Sequence, residues 1–233
     1  HFFSLIKRKF LFNHDTIINS KKAYEWAKVN AIPYVDAFEK LHINGELIGL
    51  DNDSIKEGQK LEADSSVKMG GAGHVHLLYD CVRLLKVRNV IETGVAYGWS
   101  SFAILKALSQ NGFGKLYSVD MPYPRKNNEN DVGIVVPQNL RKNWTLIRKP
   151  DNPGIIIALN KAGGEIDLCH YDSDKSWWGR HYAYPILWKS LNSKGLFISD
   201  DIQDNLYFSE FVKKNFLNFA VVEFEGKFVG LIR

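Results

Sequence analysis

Two short acidic runs and one glycine-bearing turn hold most of the chemistry that can be read from this sequence. The first run is Asp172-Ser173-Asp174-Lys175 and the second is Ser199-Asp200-Asp201; the turn is Glu92-Thr-Gly94-Val-Ala-Tyr-Gly98-Trp-Ser100. Three carboxylates brought together repel one another unless a cation or a proton compensates. Hard oxygen ligands at an open position suit Mg²⁺ or another hard divalent ion. Asp172, Asp200 and Asp201 are therefore candidate ligands of one ion. The plainer alternatives are helix N-capping for Asp172 and Asp174 and a solvated strand-end pair for Asp200-Asp201. In the turn, Gly94 and Gly98 let backbone approach a ligand closely, and the following helix offers free N–H groups to an anionic group. The dinucleotide fingerprint G-x-G-x-x-G is absent, so a pyrophosphate has no cradle.

These groups need a scaffold that brings them to one edge, and the flanking patterns supply it. RNVIETG reads as a buried strand ending in glycine, and WSSFAILKALSQNG as a helix stopped by Gly112. KLYSVD, NWTLI, EIDLCHYD and KGLFISDD read as further strands with helical segments PGIIIALNKAGG, HYAYPILWKSL and LYFSEFVKKNF between or after them. FAVVEF and KFVGLI form a hairpin turning at Glu225-Gly226. The fold class is α/β: a Rossmann-like, doubly wound, mostly parallel sheet with a C-terminal antiparallel β-hairpin. In such sheets ligands sit beyond the carboxyl ends of the strands, where both acidic runs end and where an acid after the second strand, Asp120, meets ribose hydroxyls. Neighbouring strands lie about 4.8 Å apart, so the two acidic runs can converge. Upstream, residues 1–66 read as an N-terminal helical extension. HDTIINSKKAYEWAKVN is a helix, Pro33 interrupts, and AFEKLHINGELIGL follows as a second amphipathic piece. Residues 67–233 make up the main domain.

The E-x-G-x-x-x-G turn suits the small amino-acid end of S-adenosylmethionine. The run VIETGVAYGWSS resembles the first motif of the cation-dependent O-methyltransferases, such as the catechol and caffeoyl-CoA enzymes, over roughly residues 67–205. DSDK is similar to the D-x-D-K stretch of the caffeoyl-CoA enzymes, and the Asp-Asp pair of ISDD to sugar O-methyltransferases of the macrocin and novobiocin pathways. The resemblance implies an S-adenosylmethionine-dependent methyltransferase that carries a methyl group to a hydroxyl of a small molecule or saccharide, helped by a divalent cation, magnesium by preference. It implies Glu92, Gly94, Gly98, Ser100, Asp120 and Asp172 at the cofactor, Asp172, Asp200 and Asp201 at the metal, and Asp174 or Lys175 as the base. The N-terminal extension and Trp177-Trp178-Gly-Arg180-His181 depart from the family pattern, which leaves the acceptor open.

Other features narrow the function class. Net charge is +4 with the basic residues dispersed, which permits an anionic partner without demanding one. A nucleic-acid methyltransferase is the rival enzyme. The Asn/Asp-Pro-Pro-aromatic stretch common in enzymes that methylate exocyclic base nitrogens is replaced here by Asp-Ser-Asp-Lys. A non-catalytic S-adenosylmethionine-binding module is the rival outside enzymology. Cys81 and Cys169 sit in apolar runs as core thiols, which suits a reducing cytoplasm. No apolar run reaches the ~18 residues of a membrane span, and the opening HFFSLIKRKFLF lacks the cleavage site of a signal peptide. A homodimer is admitted. Trp177, Trp178, Tyr182 and Tyr184 are candidates to stack on an acceptor or to fill the core. His181 is a second base candidate or a structural histidine. Arg125, Lys126, Arg141, Lys142, Arg148 and Lys149 are candidates to meet phosphate, with a solvated loop as the plain alternative.

Overall fold

The computed structural model describes residues 14–65, 67–122 and 129–233, so the opening segment and the pair Arg125 and Lys126 lie outside the described residues. Seven strands form one sheet in the order β3-β2-β1-β4-β5-β7-β6. They are β1 (Asn89–Thr93), β2 (Lys115–Val119), β3 (Trp144–Ile147), β4 (Ile166–Tyr171), β5 (Leu191–Ser199), β6 (Phe219–Phe224) and β7 (Lys227–Ile232). β3 through β5 pair in parallel, and β7 runs antiparallel to both β5 and β6. This is the doubly wound sheet with a terminal hairpin expected from the sequence. The strand order reverses direction at β1 and β4, which opens a crevice at their carboxyl ends.

The helices are α1 (Ile17–Asn30), α2 (Tyr34–Lys40), α3 (Asn52–Ala63), α4 (Val75–Leu85), α5 (Trp99–Asn111), α6 (Asp151–Ala162), α7 (Trp177–Ser190) and α8 (Tyr207–Lys214). One core lies between the sheet and α4 and α5, around Leu77, Leu78, Phe102 and Ile104. The other lies between the sheet and α6, α7 and α8, around Tyr171, Tyr184, Phe197 and Phe208. Cys81 and Cys169 are buried free thiols, one in each core.

The N-terminal helices share these cores: Phe38, Leu41, Ile43 and Leu50 are nearly inaccessible. Ile32 N–H donates to the Val221 carbonyl at 2.9 Å, tying the chain after α1 to edge strand β6. The second amphipathic piece is shorter than its pattern suggests, because the chain leaves the helix at Leu41 and His42 and Gly45 then take positive φ. Helix α3 gave no periodic signal, its only strongly apolar residues being Ile55 and Leu61. It is instead set by its cap, where Asp51 accepts from Ser54 N–H at 2.8 Å. Among the described residues no helix is long and apolar enough to cross a membrane.

Candidate active site

The side expected to take the cofactor is built mainly from backbone. β1 ends at Thr93, and Gly94 (φ 81°) and Gly98 (φ 89°) occupy the left-handed region that only glycine enters cheaply. A Cβ on Gly94 would run into the carbonyl of Asp172, and one on Gly98 would meet Gly133 Cα and Val136. The turn is thus clamped between two neighbouring loops. Gly98 caps α5 without a side-chain bond, so the first N–H groups of that helix face the crevice, with half-buried Ser100 in its first turn. Asp120, directly after β2, is buried beside the turn. Its Oδ1 accepts from Val95 N–H at 3.0 Å and its Oδ2 pairs with Arg148. A second cover comes from the segment before α4: Tyr97 donates its hydroxyl to the Val67 carbonyl at 2.6 Å and accepts from Met69 N–H at 3.1 Å.

Glu92, expected at the cofactor, faces the sheet interior and is 0% exposed. Its Oε2 accepts from Ser101 and Ser118 at 2.5 and 2.6 Å, and Trp144 Nε1 donates to the same Ser118 at 2.8 Å. Glu92 therefore braces the turn from below, because alternation along β1 sends Thr93 to one face and Glu92 to the other. Ser118, Glu92 and His170 are cross-strand neighbours in register. His170 Nδ1 lies 3.8 Å from Glu92 Oε1 and Nε2 lies 3.3 Å from Asp200 Oδ1, near enough for charge attraction but in neither case aligned as a hydrogen bond. Burial opposes a charge on His170, yet Asp200 and Glu92 outweigh it and hold the imidazole protonated, pushed up to about 10.

The two acidic runs do meet. Asp172 N–H donates to the Thr93 carbonyl at 2.9 Å, and Asp200 N–H to the Tyr171 carbonyl at 3.0 Å, so both runs leave the sheet at one level. Between Asp172 and Asp201 sits the ammonium of Lys175, 3.0 Å from Asp172 Oδ1 and bonded to Asp201 Oδ2. Lys227 adds a second ammonium 3.5 Å from Asp201 Oδ1. Burial raises the Asp172 carboxyl, and repulsion from Asp200 raises it further, to about 6. Burial would lower the Lys175 ammonium, but Asp172 and Asp201 reverse that and hold it above its ordinary range. Burial likewise acts upward on Asp201, and the bond from Lys175 takes it below the usual range. Among the described residues no three His, Cys, Asp or Glu side chains are grouped so as to hold a metal ion. In this arrangement the expected ligand set does not fit a divalent cation, because the lysine stands where the charge is needed.

Asp174 is exposed and caps locally, its Oδ1 accepting from Ser176 N–H at 3.1 Å while Ser176 caps α7. Of the two base candidates, only Lys175 joins the carboxylate cluster. Sequence reading missed Arg180, which is fully buried at the start of α7. Its Nη2 donates to the carbonyls of Asp200 and Asp201 at 3.1 and 2.6 Å and its Nη1 to Asn205 Oδ1 at 3.3 Å. It holds the end of β5, including Asp201 at φ 50°, in place. Tyr184 is a core residue whose hydroxyl meets Ser199 Oγ at 2.6 Å. Trp177 and the exposed His181 stack on each other (4.8 Å), with His14 on the outer side of Trp177 (4.0 Å). Arg141 and Arg148 are spent on loop carbonyls and on Asp120 and Glu129, respectively.

Residues 91–202 match a family model described as a methyltransferase domain. This span, just under half of the chain, is similar to a methyltransferase domain. No curated protein matches it by sequence. The chain is similar in fold to an O-methyltransferase from Bacillus cereus in complex with S-adenosylhomocysteine (TM-score 0.61, 16% identity, 88% of this chain and 99% of that one). It is similar also to the O-methyltransferase TomG of Streptomyces achromogenes, involved in tomaymycin synthesis and bound to S-adenosylmethionine (0.61, 16%, 90% and 97%). A methyltransferase from Podospora anserina bound to S-adenosylhomocysteine gives 0.58, 12%, 94% and 96%. At these identities the likeness shows the fold alone.

Proposed function

We propose that this chain carries the methyl group of S-adenosylmethionine to a hydroxyl oxygen of a small-molecule or saccharide acceptor. One observation carries the reading: the Lys175 ammonium, flanked by Asp172 and Asp201, sits on the loop that packs against Gly94 of the cofactor turn. Gly94, Gly98 and Ser100 would receive the methionine end, and Asp120 the ribose. Glu92 and Asp172 support that site from beneath and beside it. An acceptor hydroxyl placed at Lys175 loses its proton as the oxygen attacks the sulfonium methyl. An ammonium between two carboxylates stays charged, so Lys175 stabilises the developing oxyanion. The proton passes to a carboxylate, either Asp172, which touches Lys175, or Asp174, which lies outside the cluster two residues along. The sulfonium is already activated, so positioning and exclusion of water supply the remainder. Transfer of labelled methyl from S-adenosylmethionine to a panel of methyl glycosides and catechols, read by mass spectrometry, tests this. An ether product is expected. Cofactor binding with no transfer to any hydroxyl would leave the silent-binder alternative standing, and salt-sensitive binding of RNA or DNA would favour the nucleic-acid one.

A second reading adds the divalent cation, magnesium by preference, held by Asp172, Asp200 and Asp201. The repulsion between Asp172 and Asp200 favours it. It requires Lys175 to withdraw, and no step above depends on it. Dialysis against a chelator followed by added Mg²⁺ decides: a rate indifferent to both removes the ion from the reaction. A cytoplasmic location fits the same proposal, supported by the two free buried thiols. A homodimer is supported by the exposed Ile17, Ile18 and Val29 on α1, and light scattering tests it.

A further inference from the structure

Asp120 and Arg148 each follow the last paired residue of their strand, Val119 on β2 and Ile147 on β3. Asp120 N–H donates to the Ile147 carbonyl at 3.0 Å, so the two residues leave the sheet side by side. Every nitrogen of the Arg148 guanidinium is engaged. Nε and Nη2 donate to the two carboxylate oxygens of Glu129, each at 2.9 Å. Nη1 donates to the Asp120 carbonyl at 3.1 Å and to Asp120 Oδ2. The two parallel bonds to Glu129 hold the guanidinium in one plane, which a lysine ammonium could not reproduce. Exposure falls inward along the row, from 57% of the Glu129 side chain to 20% of Arg148 and 5% of Asp120.

The row ends on a carboxylate held at both oxygens. Asp120 Oδ1 accepts from Val95 N–H at 3.0 Å, in the glycine turn, and Oδ2 accepts from Arg148, at the end of β3. Tied to two different segments, the carboxylate cannot rotate. An ionised carboxylate has about four acceptor sites on its two oxygens. Among the described residues no further side chain or backbone donor meets either oxygen, so each keeps a site open. Two acceptors side by side are the complement of a vicinal diol, which carries two O–H donors. That match depends on direction, because a hydrogen bond weakens steeply off its axis. Without Arg148 the carboxylate would keep its bond to Val95 and swing about it. Without Glu129 the guanidinium would lose the fork that fixes its plane.

We propose that Arg148, braced by Glu129, is a positioning residue that aims Asp120 at the two ribose hydroxyls of S-adenosylmethionine. The proposal rests on the methyl-transfer reading, and it gives Arg148 a role other than the phosphate contact its charge suggests. The test is a hydroxyl-deletion cycle by calorimetry on the full chain, with S-adenosylhomocysteine and its 2′,3′-dideoxy analogue as ligands. Wild type should prefer S-adenosylhomocysteine by about twentyfold or more, the scale of two hydrogen bonds to a charged acceptor. Arg148→Met should cut that preference by about fivefold, and Glu129→Ala, at an exposed site, by about threefold. A merely loosened site would weaken both ligands alike and leave the preference unmoved. Should Arg148→Met fail to fold, Glu129→Ala carries the test alone. An unaltered preference in the folded variants overturns the proposal. So does tighter binding of both ligands, because Arg148 would then cover the ribose position. Equal binding of the two ligands by wild type overturns it as well and removes Asp120 from the ribose, while the methyl-transfer reading stands on the cofactor bound. Failure of wild type to bind S-adenosylhomocysteine sinks that reading, and the proposal with it.

Discussion

The two halves of the crevice are built on opposite principles. On the β1–β2–β3 side, position is fixed by backbone: glycines at positive φ, a helix start, and an acid whose two oxygens are taken by Val95 N–H and Arg148. On the β4–β5 side, position is fixed by side-chain charge, with Asp172, Lys175, Asp201 and Lys227 in one chain of ion pairs. Among the described residues, five of the six buried polar side-chain atoms without a hydrogen-bond partner lie here or just beneath, namely Glu92 Oε1, both nitrogens of His170, Asp172 Oδ1 and Arg180 Nε, the sixth being Trp178 Nε1 on α7. Such atoms are costly when buried. A satisfied half tolerates no rearrangement, whereas an electrostatically crowded half gains from a ligand that completes it. On the proposed function, the β1–β2–β3 half would be ready before the cofactor binds, and the β4–β5 half would be completed by the acceptor.

Four measurements break or sharpen that contrast. The largest effect should come from Gly94→Val, which forces a side chain into the Asp172 carbonyl at a φ that β-branched residues avoid. We expect no cofactor binding by calorimetry and a stability loss of about 2–4 kcal/mol in urea; near-normal affinity would show that the backbone clamp is dispensable. Next, Lys175→Met should lower turnover by about a hundredfold, the scale of one lost electrostatic stabiliser, with the cofactor dissociation constant within about twofold. An equal loss of cofactor affinity would mean that the halves are not separable. Third, Asp120→Ala should weaken S-adenosylmethionine by about 1.5–3 kcal/mol, roughly ten- to a hundredfold, while turnover at saturating cofactor changes little.

The smallest effect is in pH. Burial and the neighbouring His76 hold His74 at a folded pKa of about 4, below the ordinary 6.5. Between these values the unfolded chain takes up a proton that the folded chain refuses. The stability that His74 contributes is therefore complete above pH 6.5 and is lost as pH falls towards 4. Asp172 acts in the opposite sense, its raised carboxyl costing stability as pH rises from 3.8 towards about 6. The comparison with His74→Asn isolates the histidine: wild type should lose about 1–2 kcal/mol more than the variant between pH 7 and pH 5. Parallel curves would show that His74 is solvated.

Much of this was legible in the chain alone, for local reasons. Strand runs, helix stops and the Glu225-Gly226 hairpin follow from periodicity and turn residues, which act over a few positions. The glycine turn and the two acidic runs followed from the same local signals, and the alternation of strands and helices sent them to one edge of the sheet. What the sequence could not specify is which way each polar residue faces and whom it meets. Glu92 turned under the turn because its strand neighbours Ser118 and His170 lie 26 and 78 positions away. Lys175 settled between Asp172 and Asp201 because attraction between charges depends on distances that only the β4–β5 pairing sets. Arg180, buried without any motif, is held by carbonyls that exist as acceptors only once β5 has ended beside it. His74 opens the stretch in which Val75, Leu78, Tyr79, Val82 and Leu85 recur at helical spacing, but only the packing of the extension against the hairpin edge buries its ring between Tyr34 and Phe224. Local chemistry chose the elements; pairing between distant segments, paid in desolvation and charge, chose the site.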